Sequence, residues 1–186
     1  MKAVKCIFRY LKCTLTMGLW YPKGSYFALV GYSDSDFAGC KVDRKSTLGG
    51  CQFLGRALVS WSSNKQNLVA LSTAEAEYMV AGACCAQLLY MRQTLRDYGH
   101  SYIEIPLYCD STSAINMALN EGNHGHAKHI EIKHHFIRDH VAKKDIELIS
   151  VQPHDQLADI LTKPLDEKNF TRIRRELIVL DLSNFK

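Results

Sequence analysis

The sequence predicts an α/β fold, a five-stranded mixed sheet flanked by helices. Three observations carry that reading. Strand-like segments follow one another at 26–34, 47–54 and 57–62, the last two joined by the tight connection Gly55-Arg56. From residue 73 onward helical and strand-like patterns alternate, with strands at 105–109 and 146–151. Successive hairpins followed by α/β crossovers give three antiparallel strands and then parallel ones. Finally, 186 residues suit one domain with a short appendage and can bury a substantial core.

Each element has a local reason. Residues 2–13 are a short amphipathic helix, with Val4, Ile7, Phe8 and Leu11 on one face and Lys2, Lys5, Arg9 and Lys12 on the other. A basic segment without acids also fits a mitochondrial targeting peptide, but a surface helix is the plainer reading. Residues 73–98 carry the longest helical pattern, closed by Gly99 as a C-cap. Segments 111–119 and 130–143 read as further helices. A last helical stretch opens at 155–162 and breaks at Pro164.

Composition excludes several classes. The 47% hydrophobic and 23% charged residues are ordinary for a soluble globular chain, and no apolar run approaches the roughly 20 residues that span a bilayer. Seven cysteines, an odd number with no Cys-x-x-Cys pair and no secretory signal, read as reduced thiols in a cytoplasmic or nuclear protein that is not secreted. The formal charge of +4 tolerates a polyanionic partner without demonstrating one.

The acids are more informative. Asp34 and Asp110 stand where apolar strands stop, and α/β sheets place ligand sites at such ends. Asp110 could instead merely N-cap the helix after it. Asp36 would share a face with Asp34, and spacing does not choose between them. Glu77 heads the apolar stripe of Val80, Ala81, Cys84, Leu88, Met91 and Leu95, and a carboxylate there needs a partner. Glu75 lies about 200° away around the helix. Asp159 fits less well: Leu157, Ile160 and Leu161 read as the buried face of a helix, which turns Asp159 to solvent, and Asp155 reads as its N-cap. Acids converging on one point require cations between them, and oxygen-only ligands select Mg²⁺ or Mn²⁺.

Several stretches carry a family resemblance. In order they are Gly31-Tyr32-Ser33-Asp34-Ser35-Asp36-Phe37-Ala38-Gly39-Cys40, Asp43-Arg44-Lys45-Ser46-Thr47, Leu58-Val59-Ser60-Trp61-Ser62-Ser63-Asn64-Lys65-Gln66, and Leu71-Ser72-Thr73-Ala74-Glu75-Ala76-Glu77-Tyr78. They continue with Leu107-Tyr108-Cys109-Asp110-Ser111, Lys128-His129-Ile130, His135-Phe136-Ile137-Arg138 and Gln156-Leu157-Ala158-Asp159-Ile160-Leu161-Thr162-Lys163-Pro164-Leu165. Together they resemble the ribonuclease H domain of copia-type retrotransposon Pol polyproteins over nearly the whole chain.

The resemblance implies a ribonuclease H-like fold that cleaves the RNA strand of RNA–DNA hybrids with two Mg²⁺ or Mn²⁺ ions. It assigns Asp34, Glu77, Asp110 and Asp159 as catalytic metal ligands, prefers Asp34 to Asp36, and overrides the amphipathic reading of Asp159. Lys65, Lys128, His129, Lys133 and Arg138 are the expected nucleic-acid contacts. Residues 1–25 resemble the end of the reverse-transcriptase region, 26–165 form the nuclease domain, and 166–186 are a C-terminal helical tail. The expected partners are the hybrid and the parent reverse-transcriptase domain, with no membrane and no small-molecule substrate. The alternative is a catalytically silent retroelement relic that binds nucleic acid or protein.

The chain departs from the family at three places. Phe37 stands where the family usually has Trp. His126 and Ala127 replace a usual Arg and a hydroxyl residue, which removes a phosphate-binding guanidinium. Cellular ribonucleases H carry a His-bearing loop well ahead of the last aspartate, whereas only His154 precedes Asp159 here, in a short segment. The cluster His124, His126, His129, His134 and His135 invites a zinc reading, but its spacings match no standard zinc pattern and it reads better as a nucleic-acid-facing segment.

Overall fold

The computed structural model describes residues 1–24, 26–67, 69–119 and 128–185, with the backbone alone for 128–134 and 184–185. The elements run α1 (Lys2–Cys13), β1 (Met17–Leu19), β2 (Leu29–Asp36), β3 (Thr47–Leu54), β4 (Ala57–Lys65), α2 (Thr73–Asp97), β5 (Ile105–Cys109), α3 (Thr112–Leu119), α4 (Lys128–Ala142), β6 (Ile146–Ser150), α5 (Glu167–Glu176) and β7 (Val179–Asp181). Strands β2, β3 and β4 form an antiparallel meander, and β5 and β6 add in parallel beyond β2, giving the order β4-β3-β2-β5-β6. The mixed sheet expected from the sequence is therefore present.

Strand alternation sends side chains to two cores. On one face Leu29, Leu107 and Ile105 meet Ala81, Cys84, Cys85 and Leu88 of α2, joined by Ala114 and Ile115 of α3 and Ile137 of α4. A Cβ on Gly31 would lie 2.8 Å from Leu88 Cδ1, so glycine lets α2 sit hard against the central strand. On the other face Cys51 and Phe53 pack against Leu157, Ala158, Ile173 and Leu177. All seven cysteines are free thiols, and burial pushes Cys84, Cys85 and Cys109 up to about 12.

Helix α2 starts where its chemistry says it should. Ser72 Oγ accepts from the Glu75 N–H at 3.1 Å, and Glu75 Oε2 accepts from the Leu71 N–H at 2.6 Å. This reciprocal cap satisfies two donors that the first turn would otherwise orphan. Glu75 is thereby committed to the helix start.

Three local readings are corrected. Pairing in β2 begins at Leu29, opposite Leu54, because Ala28 N–H turns back onto Tyr26 C=O at 3.0 Å. The 155–162 stretch is not α-helical; it forms 3-10 turns at Pro153–Asp155 and Leu157–Leu161, separated by the extended Gln156. After α5 the C-terminal segment is not helical throughout, since Val179–Asp181 pairs antiparallel with Met17–Leu19. Strands of three residues are too short to show a period-two pattern. Helix α1 forms as read, but none of its residues is buried, and Val4, Ile7, Phe8 and Leu11 are half exposed or more.

Replacing the α2 cap, Ser72→Ala, should cost about 1 kcal/mol, read as a lower urea midpoint at unchanged m-value. Ser72→Asp should restore most of it. An unchanged midpoint for the alanine variant would show that the reciprocal cap contributes nothing.

Candidate metal centre at the end of the sheet

Four elements deliver acids to one end of the sheet. Asp34 lies near the end of β2, and Asp110 directly follows β5, the neighbouring parallel strand. Glu77 comes from the first turns of α2, and Asp159 from the 3-10 turn on the opposite layer. Oxygens of Asp34, Asp110 and Asp159 lie within 4.8 Å of one another. Glu77 and Asp110 form a second group at the same spacing, together with the Cys109 thiol. Asp110 belongs to both. Neither group includes Asp36 or Glu75.

The 3-10 geometry explains why Asp159 departs from the amphipathic expectation. At three residues per turn, Asp159 and Thr162 stack on one face, while Leu157 with Ile160 and Ala158 with Leu161 form the two apolar faces. An α-helical period of 3.6 sends Asp159 to solvent; the tighter period sends it to Asp34. Thr162 Oγ1 donates to Asp34 Oδ2. Lys163, on the next residue, pairs with Asp159 Oδ1 at 2.8 Å and reaches Asp34 Oδ1 at 3.7 Å.

The turn is held by residues that pattern reading missed. Gln156 is fully buried; its Nε2 donates to Ser33 C=O at 2.9 Å, and its Oε1 accepts from Ala158 N–H at 3.2 Å. Gly49 pairs with Asp34 across the sheet, and a Cβ there would lie 2.5 Å from Thr162 Cγ2 and 3.1 Å from Ala158 C=O. Only glycine lets the turn approach that closely. On the other layer, Ser35 donates through its N–H (2.9 Å) and its Oγ (2.7 Å) to Glu77 Oε1, while Glu77 Oε2 is buried without a hydrogen-bond partner. Of these residues, only Lys163 advertised itself, by standing four residues after an aspartate.

Burial sets the electrostatics. Desolvation raises Glu77 to about 8, partly offset by the Ser35 hydrogen bonds and reinforced by Asp34 and Asp110. Asp34 is raised by burial, against the Thr162 hydrogen bond and Lys163. Asp110 is raised by burial and by Asp34. Burial works against the Lys163 ammonium, but Asp159, Asp34 and Asp110 outweigh it and raise its pKa. Burial raises the Cys109 thiol to about 12, and the other donors of the two groups are all carboxylate oxygens, a set suited to hard divalent cations.

Of the expected nucleic-acid residues, Lys65 and Arg138 have described side chains, and both are engaged within the chain. Lys65 pairs with Asp43 at 2.7 Å and lies 3.2 Å from Cys40 Sγ. Arg138 is half buried and its Nε donates to Met117 C=O at 3.0 Å, tying α4 to α3. The side chains of Lys128, His129, Lys133 and His134, and all of His124 and His126, lie outside the described residues. His154 pairs with exposed Asp155 at 3.1 Å and belongs to neither acidic group.

No family model matches the chain. It is 39% identical to the retrovirus-related Pol polyprotein from transposon RE1 of Arabidopsis thaliana, over 91% of its own length and 12% of that protein. It is 36% identical to the Pol polyprotein from transposon TNT 1-94 of Nicotiana tabacum, over 95% of its length and 13% of the relative. The chain thus spans about an eighth of these relatives. Among solved structures, the N-terminal RNase H domain of a Mycobacterium tuberculosis protein superposes with a TM-score of 0.53 at 12% identity, covering 80% of this chain and 97% of that one. LC11-RNase H1 in complex with an RNA/DNA hybrid gives 0.52 at 14%, over 72% and 93%. At these identities the structures establish the fold alone, and that fold is ribonuclease H.

Because folding lifts Glu77 from 4.5 to about 8, the native chain keeps a proton through that window that the unfolded chain releases. Stability of metal-free protein should therefore fall as pH rises from about 5 to about 8. Glu77→Gln should flatten that decline, melting above wild type at pH 8 in EDTA and near it at pH 5. Parallel melting curves for the two proteins would show that Glu77 is not the group responsible.

Proposed function

We propose that this chain, a homologue of copia-type Pol polyproteins with a ribonuclease H fold, is an endonuclease that hydrolyses the RNA strand of RNA–DNA hybrids during reverse transcription. The observation that carries this is Asp110, shared between two acidic groups at the end of the sheet. One carboxylate common to the Asp34–Asp110–Asp159 oxygens and to the group it forms with Glu77 and the Cys109 thiol suits a pair of neighbouring cations.

The residues fit such ions. The four acids offer oxygen donors, and Glu77 Oε2 is buried with no hydrogen-bond partner among the described residues. Asp34, Glu77, Asp110 and Asp159 would hold two Mg²⁺ or Mn²⁺, which supply water activation and charge stabilisation at a phosphodiester. The chain's own groups do the positioning. Ser35 fixes one oxygen of Glu77, and Thr162 fixes one of Asp34. Lys163 offsets part of the charge of Asp159 and Asp34, and its partly exposed ammonium would be open to a bound phosphate.

Recognition of the RNA strand would run through its 2′-hydroxyls across the shallow minor groove. Lys65, Lys128, His129, Lys133 and Arg138 would contact the backbone. Lys65 and Arg138 are already engaged within the chain, so few phosphates are neutralised and the grip is weak without the parent reverse-transcriptase domain.

The deciding experiment is cleavage of labelled hybrid and duplex DNA in Mg²⁺ across a salt series. Hybrid should be cut in preference, and Asp110→Asn should lower the rate about a hundredfold or more at unchanged melting temperature. Glu75→Gln should cost stability through the helix cap yet still cleave, whereas Glu77→Gln should not. Equal cutting of duplex DNA would overturn the substrate. Hybrid binding with no cutting would support the silent relic.

A second expectation concerns Lys163. Millimolar Mg²⁺ should raise the melting temperature, because an ion that binds only the folded state stabilises it by mass action. Lys163→Gln should melt below wild type in EDTA and gain more from Mg²⁺, since it leaves Asp34 and Asp159 without their internal cation. A melting curve indifferent to Mg²⁺ in both proteins would count against the centre.

A further inference from the structure

The sheet face that carries Asp34 holds a second feature that the acids do not use. A cavity of about 390 Å³ opens between the sheet and the C-terminal end of α5, walled by Val30, Tyr32, Phe53, Leu157 and Ile178. Tyr32 stacks on Tyr108 at 4.7 Å and meets Phe53 edge-on at 5.8 Å. The Tyr32 hydroxyl makes no hydrogen bond among the described residues, and burial lifts its pKa to about 12, so it remains a neutral donor. Two guanidiniums stand at the rim, Arg56 from the β3–β4 turn and Arg175 from α5. Both are exposed and neither has an ion-pair or hydrogen-bond partner for its side chain among the described residues. Glu176 is also at the rim, but Arg172 holds it at 2.9 Å.

An aromatic-walled cavity with a free hydroxyl and two unpaired guanidiniums fits a planar ring attached to an anion. Position narrows the class further. Tyr32 precedes Asp34 by two residues on the same strand face, and Leu157 precedes Asp159 by two, so the cavity adjoins the acidic centre by about one strand repeat, roughly 7 Å. Ile178 adopts φ +57°, uncommon for a β-branched residue, at the turn that places its side chain in the wall.

We propose that this cavity is a nucleotide subsite: the base enters against Tyr32 and Phe53, and its phosphate pairs with Arg56 and Arg175. The proposal rests on the nuclease reading only for its choice of a nucleotide rather than another aromatic anion. Base–aromatic contact tolerates any base, so the subsite would hold an unpaired nucleotide of a strand engaged at the acids, or a free mononucleotide.

The test uses the whole chain in EDTA, where catalysis is silent, and follows backbone amide resonances during titration with adenosine monophosphate, adenosine and a 5′-phosphorylated trinucleotide. Shifts should centre on Tyr32, Phe53, Arg56 and Ile178. Arg56→Ala and Arg175→Ala should each weaken adenosine monophosphate about tenfold. Both residues are exposed, and both variants should still cut a blunt hybrid in Mg²⁺ if the wild type does. Tighter binding of the trinucleotide would identify a strand; equal binding would identify the free nucleotide; either supports the subsite. No shifts, shifts unaffected by the arginine variants, adenosine binding as well as its monophosphate, or equal shifts from a Phe-Glu peptide would each overturn it. Binding without hybrid cleavage by the wild type would remove the nuclease reading and leave the subsite standing. Cleavage without binding would do the reverse.

Discussion

Four carboxylates that must share one small, partly dry volume are the constraint on which this fold depends. Lost hydration first, and mutual repulsion after it, work against the native state and raise the pKa of Glu77, Asp34 and Asp110. The chain answers with hydrogen bonds aimed at individual oxygens and with one internal cation. Ser35, Thr162 and Lys163 each meet a different edge of the cluster.

Holding the acids together requires both layers of the domain. Helix α2 seats Cys84 and Leu88 against Gly31 and so brings Glu77 to Ser35, while the 3-10 turn seats Ala158 and Thr162 against Gly49, so a glycine on each face of the sheet sets the closeness of approach. Gln156 then fixes the turn to β2 through the Ser33 carbonyl, next to Asp34 itself. Precision at the site thus comes from backbone contacts of a rigid sheet, which loops alone would not provide.

Much of this was legible in the sequence. The make-up of the sheet, three antiparallel strands and then parallel ones, follows from segment order, and Glu77 is distinguished from Glu75 by its place on the buried stripe; the structure shows why, since Glu75 caps its own helix. Asp159 was not legible to pattern reading, because the period assumed was that of an α-helix and the turn is tighter. Gln156, Gly49 and Thr162 act through contacts that join residues over a hundred positions apart or depend on the lack of a side chain, and neither leaves a local period. The β1–β7 pairing escaped for the same reason, being short and distant in sequence.

That small ribbon has a mechanical consequence. Met17 pairs with Asp181 and Leu19 with Val179, so the chain enters β1 and leaves β7 at the same end of the ladder. Tension applied through flanking polypeptide, as in relatives where the matching segment is about an eighth of the whole, would load these pairs one at a time, as a zipper opens, rather than shear them together. Met17 reaches Arg174 of α5 at 2.7 Å, so the ribbon is fastened to the layer that carries Asp159. A pull on both ends of the ribbon would therefore meet three pairs, one at a time, before it reached the layer that carries Asp159.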